Sequence, residues 1–140
     1  MELFTARYAD YSPTQGVAVR TSVGVPKDWR HGRLEHVRRL TPYGLLHVTN
    51  RAEFTRLYIA RLESVGADAI YAALEGISDV HDCRPLVLLC FEDVRRRGVW
   101  CHRTILGAWL RDRLDVEVPE LGVFTAAGAK IDHKRTGRCR

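Results

Sequence analysis

The chain alternates between segments with two-residue hydrophobic periodicity and segments with helical periodicity. Residues 2–9 (Glu-Leu-Phe-Thr-Ala-Arg-Tyr-Ala) alternate loosely and carry strand formers, so they predict a first strand. Asp10 to Gly16 contains Ser-Pro and Gln-Gly and predicts a loop. Val17-Ala-Val-Arg-Thr-Ser-Val23 predicts a second strand, stopped by Gly24 and Pro26. Residues 27–44 are polar and basic and predict an irregular excursion, with a short helix around 34–40 and a short strand at 45–48.

Asn50 is placed as a helix N-cap, with Glu53 three residues on in a capping-box arrangement. Phe54, Leu57, Tyr58, Arg61, Leu62 and Val65 then keep helical spacing as far as Gly66. A second helix is expected over roughly 67–74, ending near Gly76. Pro85-Leu-Val-Leu-Leu-Cys-Phe91 is apolar without interruption. A short run of that kind, bounded by polar residues, predicts a strand covered on both faces, as in parallel sheets. After a charged loop from Glu92 to Gly98, residues 101–114 put Ile105, Leu106, Trp109 and Leu110 on one helical face. A last short strand is expected at 116–118.

This alternation implies an α/β fold: a single layered domain with a mostly parallel sheet flanked by helices. We assign it to residues 1–129. Residues 130–140 form a basic tail, expected to be mobile. In such sheets ligands bind outside the carboxyl ends of the strands. The step from Leu89-Cys90 through the charged loop to Cys101-His102-Arg103 lies at such an end.

Composition narrows the classes. An apolar fraction of 46% and a charged fraction of 28% belong to a folded globular chain. No run of about 18 apolar residues is present, so no membrane-spanning helix is expected. Glu2 and Arg7 interrupt the apolar character of the first residues, which argues against a signal peptide and for a cytoplasmic protein. Reduced thiols are therefore the expectation for the four cysteines. None of them forms a Cys-x-x-Cys pair, so no metal and no cofactor is assigned. A looser set from His81, Cys83, Cys90, Cys101 and His102 has little support from its irregular spacing. The net charge is +5, with 19 arginines against 3 lysines. Arginine forks suit phosphate oxygens, although a codon bias toward arginine accounts for the excess as simply.

The candidate site gathers Cys90, Glu92, Cys101, His102 and Arg103. Cys90 and Glu92 share a side of the strand if it extends that far. Cys101, His102 and Arg103 open a helix, where unpaired N–H groups favour anions and lower thiol pKa values. That supplies a nucleophile in Cys101, a proton carrier in Glu92 or His102, and an anion clamp in Arg103. Cys90 is assigned a buried supporting role, and Arg20, Ser22 and Arg96 are added as ligand-binding candidates. Each residue also has a plain structural explanation, as a small buried hydrophobe or a solvated polar group. Their convergence at one strand end is what favours a site.

The run Leu88-Leu89-Cys90-Phe91-Glu92, followed by Trp100-Cys101-His102-Arg103 and Ala108-Trp109-Leu110, resembles the signature of domain-of-unknown-function family 488. In that pattern an apolar strand ends in Cys-x-Glu, and Cys-His-Arg opens a helix after a variable loop. Ser22-Val-Gly-Val-Pro26, Leu40-Thr-Pro42, the Tyr58 to Leu62 spacing and Val118-Pro-Glu-Leu121 resemble further elements of it, across residues 5 to 121. The resemblance implies a site rather than a reaction. The basic Arg95-Arg96-Arg97 loop and the tail depart from the pattern.

A phosphatase loop is rejected. Cys90 and Arg96 satisfy its Cys-x5-Arg count, but Glu92 and Asp93 stand where glycine-rich backbone would wrap the anion. The expected function is a small enzyme, a hydrolase or transferase, acting on a nucleotide, nucleoside or nucleic-acid-derived substrate. The expected partner is a small anionic or nucleotide-like ligand, with nucleic acid as a second candidate and no membrane. The rival reading is a non-enzymatic basic adaptor that docks on nucleic acid or protein through the Arg95–Arg97 loop and the tail.

Overall fold

The computed structural model describes residues 1–122, so the 130–140 tail lies outside the described residues. Four strands, β1 (Leu3–Arg7), β2 (Val17–Arg20), β3 (Glu35–His36) and β4 (Leu86–Cys90), form one sheet in the order β1-β4-β2-β3. Every pairing in it is parallel. Three helices follow the chain: α1 (Arg51–Val65), α2 (Ala67–Val80) and α3 (His102–Leu114).

β4 lies between β1 and β2, and all five of its residues are buried. Leu86 and Leu88 face a core built with Leu3, Val17 and Val19 and with side chains of all three helices, among them Phe54, Tyr58, Leu74, Leu106 and Leu110. Val87 and Leu89 face the other way, into a second cluster with Phe4, Ala6, Ala18, Tyr8, Tyr11 and Leu121. All three helices therefore cover one face. Loops bearing aromatic side chains cover the other. Each large apolar side chain buried in this way contributes about 1.5–3 kcal/mol relative to exposure.

Several local expectations are corrected. The segment at 34–40 is the short strand β3 followed by a 3-10 turn at Arg38–Leu40. Pairing of Arg20 with His36 at the sheet edge prevails there over helical spacing. Residues 45–48 form turns rather than a strand. α2 runs through Gly76 to Val80, because burial of Ile70, Leu74 and Ser78 outweighs a glycine cost of about 1 kcal/mol. At 116–118 no strand forms. Instead Pro119 and Leu121 hydrogen-bond to the Thr5 backbone and cover the outer edge of β1. The N-cap holds, with Asn50 Oδ1 accepting from the Glu53 N–H at 2.9 Å. The Glu53 side chain pairs with Arg56 instead of closing the capping box.

Entry into β2 depends on Gly16, whose φ is +153°; a Cβ there would stand 2.4 Å from the Pro85 carbonyl oxygen. That oxygen accepts from Val17 N–H at 2.7 Å and starts the β2–β4 ladder. Gly16→Ala should therefore destabilise the domain by about 2 kcal/mol or more. The urea midpoint measures this, and an unchanged midpoint would show that the β2 entrance relaxes freely.

Candidate functional site

The carboxyl ends of β2 and β4 and the start of α3 meet at one place. Thr21 extends β2, and its N–H and Oγ1 both donate to the Leu89 carbonyl, at 3.1 and 2.8 Å. Cys90 ends β4, and its thiol donates to Glu92 Oε2 at 3.1 Å, so the two side chains do share a side. Cys101 is the N-cap of α3, with extended φ and ψ. Its carbonyl accepts from the Thr104 N–H and hydroxyl, which fixes the helix start.

His102, the first residue of α3, turns its imidazole back toward the carboxyl end of β2. Nε2 lies 2.9 Å from the Thr21 carbonyl oxygen and 3.0 Å from Thr21 Oγ1. A carbonyl can only accept, and the Thr21 hydroxyl hydrogen is already given to Leu89, so Nε2 carries the proton. The bare Nδ1 points at two sulfurs, Cys90 Sγ at 3.7 Å and Cys101 Sγ at 3.8 Å. Tyr58 packs edge-on against the ring at 5.7 Å and donates its own hydroxyl to the Leu40 carbonyl. Both thiols are free and buried, whereas Cys83 is disulfide-bonded and departs from the expectation of reduced cysteines. Among the described residues, Cys90, Cys101 and His102 form one group able to hold a metal ion, with ligand atoms within 4.8 Å of one another.

The two thiols divide one charge unequally. Cys101 is brought down to about 6, chiefly by the hydrogen bond from Cys90 and against the effect of its burial. Cys90 is pushed up by donating to Cys101, by burial and by the neighbouring negative charges of Cys101 and Glu92. Burial alone would raise Glu92, but hydrogen bonds from Cys101 and Cys90 outweigh it and hold the carboxyl below its ordinary range.

A cavity of about 260 Å³ opens on this cluster, lined by Glu92, Cys101 and His102 at one end. Pro42, Leu46, Val48, Phe54 and Trp100 form its apolar walls, with Phe54 and Trp100 in ring contact at 5.1 Å.

Arg103 does not line this cavity. It is fully buried, and its Nε and Nη2 donate to Glu120 at 3.1 and 2.6 Å. Glu120 also accepts from the Thr5 hydroxyl at 2.5 Å. A buried guanidinium requires a carboxylate partner, so Arg103 ties α3 to β1 and the 119–121 segment instead of clamping an anion. Its Nη1 has no hydrogen-bond partner among the described residues. Arg20 donates to the Ser22 and Val23 carbonyls, and Ser22 Oγ bonds Tyr8 OH at 2.7 Å. Both shape the turn after β2. Arg96 is exposed in the loop, while Arg95 pairs with Asp93 and Asp10.

Three features escaped the sequence reading. Thr21 and Glu120 lie 81 and 17 residues from their site partners; no motif marks Thr21, and Glu120 stands in the Val118–Leu121 resemblance without a role attached. The third is a second cavity of about 380 Å³ at the same sheet end, lined by Tyr8, Trp29, His31 and Phe91 with Arg7 and Lys27. Its aromatic residues are scattered in sequence, and the loops beyond the strand ends gather them.

Comparison with family models, curated proteins and solved structures finds no match to this chain.

Two outcomes follow from this geometry. In chelator-treated protein Cys101 should alkylate before Cys90, at a rate that rises toward about pH 6 and levels above it. Peptide mapping of labelled protein decides this, and faster labelling of Cys90 would assign the thiolate to the strand. Glu120→Ala should cost about 3–5 kcal/mol, because it leaves a buried cation unpaired. Arg103→Met should cost less, because Glu120 reaches solvent. Denaturant titration of the two variants gives the ordering.

Proposed function

We propose that this chain is a small enzyme acting on a nucleobase- or nucleoside-sized ring, with Glu92 as the proton carrier. The observation that carries this reading is that Glu92, Cys101 and His102 line one cavity together with Thr49 and the apolar or aromatic side chains of Pro42, Leu46, Val48, Phe54 and Trp100. A pocket with few convergent polar groups and flat hydrophobic walls suits a planar, partly polar molecule. Trp100 and Phe54 offer faces to a ring, and the polar end meets its reactive edge. Its volume admits a base or a small nucleoside, not a polymer.

Two chemistries use a sulfur in the position of Cys101: direct attack on the substrate, or retention of a metal ion that activates water. Glu92 moves the proton in both, which places the reaction among hydrolyses or group transfers. The alternative, a basic adaptor, would leave Glu92, His102 and Arg103 packed or dispersed and show a basic surface elsewhere, and Arg103 is indeed packed away from the cavity. Against it, Glu92, Cys101 and His102 adjoin one space, and Arg95 is engaged by two carboxylates. The kinship with domain-of-unknown-function family 488 remains part of this proposal. The Cys-x-Glu and Cys-His of its signature are the residues gathered here, and its arginine serves the scaffold.

A panel of nucleobases, nucleosides and nucleotides, incubated with the full chain and followed by chromatography, tests the reading. At least one compound should be converted, and Glu92→Gln should lower kcat by about 10²–10⁴-fold while leaving the thermal midpoint close to that of the parent. No conversion and no binding across the panel, together with salt-dependent binding of nucleic acid, would replace the enzyme by the adaptor.

A further inference from the structure

We propose that Cys90, Cys101 and His102 bind one zinc ion through Sγ, Sγ and Nδ1, leaving the fourth position open to the cavity beside Glu92.

The two sulfur–nitrogen separations are close to those a tetrahedral ion requires, and all three ligand atoms lie within 4.8 Å of one another. Zinc–sulfur and zinc–nitrogen bonds of about 2.3 and 2.0–2.1 Å at the tetrahedral angle separate sulfur from nitrogen by roughly 3.6 Å. Here Nδ1 stands 3.7 Å from one sulfur and 3.8 Å from the other. The imidazole is also set up as a ligand. Metal-bound histidines donate their other N–H to a carbonyl or carboxylate, which fixes the tautomer and aims the lone pair. Thr21 does this from both its carbonyl and its hydroxyl, and the proton must then reside on Nε2. Packing against Tyr58 holds the ring in that orientation.

Ligand chemistry selects the ion. Two thiolates and an imidazole form a soft-to-borderline donor set that suits zinc and disfavours magnesium and calcium. A divalent cation there would replace both thiol protons and leave the zinc–dithiolate unit neutral.

Three protein ligands with a fourth position facing a cavity is the arrangement of catalytic rather than structural zinc. Of the three ligands, Cys101 and His102 line that cavity, and Glu92 joins them there as a non-ligand carboxylate. A water in the fourth position would give its proton to Glu92 and add as hydroxide to an electrophilic ring carbon. The leaving group would depart with the proton that Glu92 returns. In this form Cys101 is a ligand and not the attacking group. The inference names what the cavity presents to its substrate, yet metal content tests it without any turnover.

The full chain, loaded with zinc and dialysed against a weak chelator, should retain about one zinc per chain by elemental analysis. Cobalt substitution should give tetrahedral visible bands and a thiolate-to-cobalt charge-transfer band. Cys101→Ser and His102→Gln should each weaken zinc binding by about a hundredfold or more, and Glu92→Gln should leave it within tenfold. Loss of zinc on dialysis, a cobalt spectrum without the thiolate band, or undiminished binding in both ligand variants would overturn the proposal. Should the variants fail to fold, the parent's zinc content and cobalt spectrum decide alone. Zinc retained while the nucleoside panel stays unconverted would uphold this site and reject the enzyme reading; conversion by zinc-free protein would do the reverse.

Discussion

Burial of β4 on both faces and along both edges is the constraint from which the remaining architecture follows. A strand in that position cannot present a polar side chain anywhere along its length, and Leu86, Val87, Leu88, Leu89 and Cys90 comply. Its backbone is satisfied by β1 on one side and β2 on the other, both parallel, so each neighbour must be reached by a crossover. The first polar side chain that β4 can afford is Glu92, just past its end. Reactive groups accumulate there because it is the first place along the segment where a charge can meet solvent.

The same constraint explains which parts of the molecule were legible in the sequence. An uninterrupted apolar run announces a doubly covered strand, and the three-to-four-residue spacing of Ile105, Leu106, Trp109 and Leu110 announces the helix after it. The meeting of Cys90, Glu92, Cys101 and His102 follows from those two elements and one loop, so local pattern suffices to find it. Arg103 was misjudged because a first-turn arginine has the same local signature whether it points to solvent or inward. Only Glu120, held against Thr5 beyond the helix end, distinguishes the two. The second face of the sheet was illegible for a related reason. Tyr8 and Tyr11 flank one 3-10 turn while Trp29 and Phe91 lie in separate loops, with no common period, yet their rings touch one another on the face that carries Ala6 and Ala18.

Chemistry at the site is governed by orientation more than by residue type. Cysteine, histidine and glutamate are ordinary in a core or at its margin. What distinguishes this cluster is that a strand-end hydroxyl, already committed as a donor to Leu89, leaves one imidazole nitrogen protonated and the other bare. One threonine therefore sets the protonation pattern of a centre formed 81 residues later in the chain. The Arg103–Glu120 pair serves the same end from below. It anchors the first turn of α3 to β1 and so holds His102 at a fixed depth beneath Thr21.

The loop between Cys90 and Cys101 is built as an anchored base carrying a loose bight. Asp93 is pinned by Arg7 and Arg95, and Arg95 reaches on to Asp10, so the first half of the loop is moored to the end of β1. From Arg96 to Val99 the chain is exposed and turns at Gly98 with φ +76°. Because closure entropy grows only slowly with length, about 0.6 kcal/mol for each doubling, this outer stretch can be lengthened or rewritten at small thermodynamic cost. The centre itself is held by β4, α3 and Thr21. That separation gives the fold a natural point of divergence, where related chains could exchange recognition surfaces above an invariant reactive floor.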